Sequence, residues 1–291
     1  MALPLKAFLN ALETSLPELN VEDVEVRLFL EGIYRYYGFD FRSYDLSWMR
    51  SRIKRSVCEE QLLTVSALQE KVLRDLGCMD RFLVNMSQQN MSLFGNPEFY
   101  LLLRHRVVPL LKTYPSLRIW MAGCSTGEEI YSVAIVLREE GLWDRMQIYV
   151  TDMSEAILKN ARAGVFPVSS LDQYRRNYQL SDGKADFADY FSESSDGVVL
   201  DPELRSKILF AVHNLVTDGS FNEFHMIFCR RGMEQFSAAL QRHVLLLLRD
   251  SLITFGYLAL ARGDSIQMMR ETPGFEKVNE PSRLYRKVAS S

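Results

Sequence analysis

The stretch from Arg118 to Ser132, R-I-W-M-A-G-C-S-T-G-E-E-I-Y-S, constrains this chain more than any other part of it. A short apolar run, Ile119–Ala122, ends in the small-residue loop Gly123-Cys124-Ser125-Thr126-Gly127. Glu128 and Glu129 then open an amphipathic segment that ends near Leu142. The order is strand, tight turn, helix start. Glycines let such a loop take left-handed backbone and let a ligand approach it closely. Acidic residues in the first helical turn suit the helix dipole. The loop is either a well-made turn or the floor of a nucleotide-like binding site.

The texture around it is consistent with an α/β fold. Ile119–Ala122, Ile148–Thr151, Ile208–Val212, Met226–Cys229 and Ile253–Ala261 read as strands. Phe99–Lys112, Glu129–Glu140, Ser154–Ala163 and Phe236–Ser251 read as helices. Such alternation predicts a parallel sheet covered on both faces. The run Ser282–Val288 suits a last strand, antiparallel at the sheet edge. Residues 169–205 are more polar and form either a small insertion on the C-terminal side of the sheet or a long ordered loop. Residues 1–88 read as helical, with helices at Val21–Tyr37, Leu46–Glu60 and Val65–Leu76. This gives two domains, 1–88 and 89–291.

Composition limits the function classes. The chain is 47% hydrophobic and 24% charged, enough for a substantial core. A net charge of -3 gives no argument for nucleic acid or a membrane surface. No apolar run is long enough to cross a bilayer, and the N-terminus lacks the pattern of a signal peptide, so the cytoplasm is the expected location. Cys58, Cys78, Cys124 and Cys229 are widely spaced, and the histidines form no ligand pair, so no metal site is expected.

Ligands of open α/β sheets bind outside the carboxyl ends of the strands. Four features fall there: the Gly123–Glu129 loop, Asp152, Asn214 and the pair Arg230-Arg231. An acidic residue ending the second strand, roughly 20 residues downstream of the loop, can accept from ribose hydroxyls. Asn214 offers donors and an acceptor to a purine edge. Each has a plainer reading. Asp152 can cap the helix starting at Ser154, Asn214 can be a turn residue, and the arginines can be solvated surface charge.

The text G-C-S-T-G-E-E, then Y-V-T-D-M-S-E-A-I-L-K-N-A-R-A-G-V-F-P, H-N-L-V-T-D and F-H-M-I-F-C-R resembles the CheR family. These are S-adenosylmethionine-dependent methyltransferases that esterify glutamates on chemoreceptors. The resemblance runs from about residue 20 to 288 and includes Y-G-F-D-F and the basic helix after it. It implies a Rossmann-like class I methyltransferase sheet, an N-terminal all-helical domain and a small β insertion. It implies S-adenosyl-L-methionine as cofactor, S-adenosyl-L-homocysteine as product, and the cytoplasmic domain of a methyl-accepting chemosensory receptor as partner, with no nucleic acid and no membrane insertion. By position, the cofactor residues would be Gln89, Met91, Gly95, Gly123, Ser125, Thr126, Glu129, Asp152, Asn214, Leu215, Arg231 and Gly232. Glu129 and Asp152 would meet the amino-acid and ribose portions, and Asn214 and Leu215 the adenine. Arg50, Arg52, Lys54 and Arg55 stand where the family sets a basic face against acidic receptor helices; an ordinary charged helix face is the alternative.

Two family signatures are altered. T-x-x-F-R-D-P reads Met91-Ser92-Leu93-Phe94-Gly95-Asn96-Pro97, with Gly95 in place of the arginine. C-R-N-V-x-I-Y-F reads Cys229 to Phe236 with Arg231 for asparagine and Gln235 for tyrosine. An arginine grips a carboxylate through two parallel hydrogen bonds, and glycine offers none. Two main readings follow: an active protein-glutamate O-methyltransferase with an altered site, or a catalytically weak or inactive signalling adaptor that keeps the pocket. A third is a pocket for another nucleotide, since Arg231 suits a phosphate.

Overall fold

The computed structural model describes residues 20–87, 92–194, 197–230, 233–261, 269, 272–279 and 281–289. The chain divides into two units, Met1–Arg42 with Leu46–Phe82, and Ser43–Asp45 with Leu83–Ser291.

The first unit is helical. Helix α1 (Val21–Tyr37) starts on Asn20, whose side chain accepts from the Glu22 N–H, and buries Val26, Phe29, Leu30 and Ile33. Helix α2 (Leu46–Glu59) buries Met49 and Ile53. Helix α3 (Val65–Arg74) is capped by Thr64, which accepts from the Ala67 N–H at 3.1 Å, and buries Leu68 and Val72. A further helix, α4 (Leu76–Ser87), goes beyond the three read from the sequence. It buries Cys78, Met79, Phe82, Leu83 and Met86, spaced three and four apart as one helix face requires. Phe82 meets Phe29 edge-on at 5.2 Å, and the Tyr37 hydroxyl donates to the Val72 carbonyl at 2.6 Å.

The second unit is built on a sheet of seven strands. In chain order these are β1 (Leu117–Ala122), β2 (Met146–Asp152), β6 (Ile208–Val212), β7 (Phe224–Cys229), β8 (Leu252–Leu260), β9 (Phe275–Asn279) and β10 (Leu284–Lys287). Their spatial order is β6-β2-β1-β7-β8-β10-β9. The first five are parallel, and β10 runs antiparallel to both β8 and β9. The last strand is therefore antiparallel as expected but lies inside the sheet; β9 takes the edge. β9 reads F-E-K-V-N, a short charged strand of the kind that blunts a sheet edge, and it lacks the apolar run that marks a buried one.

Helices flank the sheet: α5 (Pro97–Leu102), continued through a π-helical turn at Leu103–Val107 into α6 (Val108–Leu111), then α7 (Glu128–Glu139), α8 (Glu155–Ala163), α9 (Leu171–Leu180) and α10 (Ala238–Asp250). Residues 169–205 carry structure of their own. β4 (Phe191–Ser194) and β5 (Gly197–Leu200) pair antiparallel, and β3 (Val165–Phe166) joins β5 on its other side. Arg104, buried in the π-helical turn, ties this segment to the helices beside it. It donates to the Ser181 carbonyl at 2.9 Å, to Glu140 at 3.0 Å and to Glu139. Glu139 also accepts from the hydroxyls of Tyr178 and Tyr190. Burial and that carboxylate push the Tyr178 phenol up to about 12.

Candidate cofactor site

β1, β2 and β6 are neighbours, so the turns after them share one end of the sheet. After Ala122 the chain leaves β1 through Gly123, whose N–H donates to the Thr151 carbonyl at 2.8 Å. The Cys124 N–H then donates to Asp152 Oδ2 at 3.1 Å. Ser125 donates through Oγ to the Ser87 carbonyl at 3.0 Å, a bond within the second unit, which takes in α4 from Leu83 on. Gly127 closes the loop at φ +98°, with Ala161 Cα and Tyr131 Cε2 each 3.4 Å from where a Cβ would stand. Helix α7 follows, with Glu128 and Glu129 in its first turn.

Asp152 ends β2 and is buried. Its Oδ1 accepts from the Ser154 N–H at 3.3 Å, while Ser154 caps α8 by accepting from the Ile157 N–H at 3.4 Å. The cap of α8 is thus Ser154, and Asp152 serves the loops. Burial raises the Asp152 carboxyl above its ordinary range, and the backbone N–H groups of Cys124 and Ser154 pull against that rise.

After β6, the His213 N–H donates to the Asp152 carbonyl at 3.0 Å. The Asn214 N–H donates to Asp218 at 2.9 Å, and Asn214 Oδ1 accepts from the Val216 N–H at 3.0 Å. Asn214 is a turn residue and borders the cavity as well. On another wall, Asp45 N–H donates to the Gln235 carbonyl at 2.8 Å, Ser237 N–H donates to the Ser43 carbonyl at 2.9 Å, and Tyr44 meets Phe236 edge-on at 4.8 Å.

These turns border an open cavity. Of the residues expected from the sequence, Gly123, Ser125, Asp152, Asn214 and Leu215 border it. Thr126 does not; its hydroxyl is bonded to Glu128. Nor does Glu129, which is paired with Arg230 at 2.8 Å. Gly95 lies in a turn closed by its N–H on the Ser92 carbonyl at 2.9 Å and does not border the cavity either. Gln89, Met91, Arg231 and Gly232 fall outside the described residues. Tyr44, Met86, Ser87, His213, Gln235 and Phe236 border the cavity without having been expected. His213 was within reach, standing next to Asn214 in H-N-L; nothing in the sequence pointed to Tyr44.

In the helical unit, Arg50 pairs with Asp23, Lys54 with Glu22 at 2.8 Å and Arg55 with Glu59 at 2.7 Å. The Arg52 guanidinium lies 5.1 Å from the Trp48 ring centre, and burial lowers its pKa. Among the described residues, no group of His, Cys, Asp or Glu is arranged to hold a metal ion, and no helix is long and apolar enough to cross a membrane.

A parallel sheet with one antiparallel insertion near its edge, carrying a cavity at the ends of its central strands, is the fold of class I methyltransferases. Residues 90–283 match the CheR methyltransferase, SAM binding domain, and residues 25–87 match the CheR methyltransferase, all-alpha domain. Cher3 of Pseudomonas putida is 40% identical over 265 residues, 91% of this chain and 97% of that one. A chemotaxis protein methyltransferase of Listeria innocua is 28% identical over 82% of this chain and 88% of its own length. Chemotaxis protein methyltransferase 1 of Pseudomonas aeruginosa is 27% identical over 88% of this chain and 98% of its own. The chain belongs to the CheR methyltransferase family, and its cofactor is S-adenosyl-L-methionine. The residues bordering the cavity fit that group: the Asp152 carboxylate can accept from hydroxyls, and Leu215, Val216 and Phe236 offer apolar surface to a base.

Proposed function

We propose that this chain is a protein-glutamate O-methyltransferase acting in the cytoplasm on the signalling domain of a chemosensory receptor. The observation that supports it most is the convergence of Gly123, Asp152 and Asn214, from three adjacent strand ends, on one cavity. Asp152 accepts from the ribose hydroxyls, and Leu215 and Asn214 border the adenine; Glu129, which the family pattern gives to the amino group, is held by Arg230 and would have to give up that bond to reach it. Gln89, Met91, Ser125, Thr126, Arg231 and Gly232 complete the set by their position in the family pattern. The domain division falls near residue 88.

The cofactor supplies an electrophilic methyl group on a sulfonium, which a glutamate carboxylate takes by in-line displacement, leaving a neutral thioether with no proton transferred. The residues therefore need only align the two groups and exclude water. Arg50, Arg52, Lys54 and Arg55 exchange some of their present acidic partners for those of a receptor helix. A second reading, a signalling adaptor with weak or no turnover, is favoured by the absence of an arginine at Gly95. Transfer of tritiated methyl groups to chemosensory receptor membranes separates the two. Label on receptor glutamates is the outcome for the enzyme; cofactor binding by calorimetry without label is the outcome for the adaptor.

A further inference from the structure

We propose that the outer side of strand β6 is a docking edge for an extended acidic segment of another protein, which joins the sheet as an added strand. The inference concerns the rim of the sheet and does not rest on methyl transfer.

β6 stands at one end of the sheet order, and among the described residues it pairs only with β2. The bonds at its two ends fix which way its backbone points. The Ile148 N–H donates to the Lys207 carbonyl at 2.9 Å, and the His213 N–H donates to the Asp152 carbonyl at 3.0 Å. Backbone groups alternate in direction along a strand, so Leu209 and Ala211 turn theirs to β2 as well. Ile208, Phe210 and Val212 present their N–H and C=O groups to the open side. Proteins blunt such an edge with charge, proline or a bulge. The far edge of this sheet follows that rule, with Glu276 and Lys277 in β9. β6 reads I-L-F-A-V and carries none of these devices. Leu209 is 51% exposed and Val212 56%. An unpaired, uncharged apolar edge is a template for a further strand.

The charges beside the edge select the strand. Ile208, Phe210 and Val212 share one face. It is the face toward α8, since the Arg162 guanidinium lies 5.2 Å from the Phe210 ring centre. Lys159 stands one turn before Arg162 on that helix, and Arg205 donates to the Ala163 carbonyl at its end at 3.4 Å. Among the described residues none of these three cations has an ion pair. The acids closest to Arg205 in the chain, Asp201 and Glu203, are each held by Arg138 at 2.9 Å. Leu209 and Ala211 form the opposite face, exposed and apolar. A strand laid beside β6 therefore meets cations on one face and apolar side chains on the other. Its own residues alternate, acidic toward α8 and apolar behind. A second copy of β6 fits less well. Antiparallel pairing about a two-fold axis at Phe210 would bring Arg162 against its own copy.

Fluorescence anisotropy of the full chain with capped seven-residue peptides tests this. A peptide alternating valine and glutamate is expected to bind, and one of the same composition with its glutamates in a single block to bind at least about tenfold more weakly. Backbone direction alternates with side-chain face, so N-methylation of the central valines and of the central glutamates block opposite edges of the peptide. One is expected to abolish binding and the other to leave it within about threefold. Lys159→Glu with Arg162→Glu is expected to weaken the alternating peptide by about tenfold or more. Hydrogen exchange should slow at the Ile208, Phe210 and Val212 amides when the peptide binds. No binding overturns the proposal. Equal binding of the alternating and blocked peptides, or an equal effect of the two methylations, overturns it too, because attraction by charge alone gives that result. Edge amides already protected in the free protein, with a dimer in sedimentation, would give the edge to a second copy and overturn it. These comparisons use the unaltered protein and hold even if the double variant does not fold.

Discussion

Arg230 Nη1 stands 2.8 Å from Glu129 Oε1, with the two side chains only 10% and 5% exposed. The guanidinium also lies 3.9 Å from the Phe99 ring centre. The Glu129 carboxylate is thus held in place by a cation. Breaking a buried pair from one side leaves a bare charge and costs on the order of 3–5 kcal/mol. Glu129→Gln is therefore expected to lower stability by about 3 kcal/mol in urea denaturation. The double change Glu129→Gln with Arg230→Met leaves no charge behind and should recover most of that loss. A loss from Glu129→Gln well under 1 kcal/mol would show the pair to be solvated.

Asp152 gives a pH signature. Burial raises its folded pKa above the unfolded value of 3.8. Between the unfolded and the folded pKa the native state binds more protons, so stability falls as pH rises through that window. Charged Asp152 is a liability to the fold, and bonds to ribose hydroxyls, as proposed above, would offset it. Asp152→Asn is expected to lose that falling component of the pH–stability curve. The same change should weaken S-adenosylhomocysteine binding by about 10- to 100-fold, the worth of charge-assisted hydrogen bonds. Thermal melts from acid to neutral pH, with calorimetry beside them, read both effects. Unchanged affinity would remove Asp152 from the site.

Gly127 tests the loop. Its φ of +98° disfavours any side chain, and an added Cβ would touch Ala161 and Tyr131 at 3.4 Å. Gly127→Ala is expected to cost about 1–2 kcal/mol in stability from the left-handed backbone alone. Because the loop also carries the Cys124 N–H that holds Asp152, cofactor affinity should fall with it. A variant that melts like the unaltered protein would mean that the loop relaxes freely.

The parallel strands were legible because burial on both faces demands continuous apolar runs, and I-W-M-A, I-Y-V-T and M-I-F-C supply them. The strand-end residues followed from the topology those runs imply, which is why Gly123, Asp152 and Asn214 emerged together. What remained hidden depends on tertiary partners. The charged strand β9 and the two-residue β3 carry no periodic signal of their own. Glu129 reads as a first-turn acid, and only the fold brings Arg230, 101 residues away, against it. Tyr44 enters the cavity wall because backbone bonds to Gln235 and Ser237 pin its segment there, and no local pattern encodes that.

Gly95 decides between an enzyme and an adaptor. Its turn is tight: an added Cβ would stand 3.0 Å from the Ser92 carbonyl oxygen and 3.3 Å from Ser92 Cβ. Gly95→Arg therefore forces the turn to give by a few tenths of an ångström, a strain of about 1–3 kcal/mol that a domain of this size survives. Against that stands the bidentate hold an arginine can place on a carboxylate, commonly worth on the order of 100-fold in rate where alignment is the main task. The rate term outweighs the strain if the pocket is otherwise able to turn over. Gly95→Arg is thus expected to lower the melting temperature by a few degrees and yet raise methyl transfer to receptor membranes at least about tenfold. Gly95→Lys, which supplies charge without the fork, should gain much less. A rise with arginine alone would mark a catalytic pocket tuned down at one position. No gain from a folded Gly95→Arg variant that still binds S-adenosylhomocysteine would mark an adaptor whose loss of turnover extends beyond this turn.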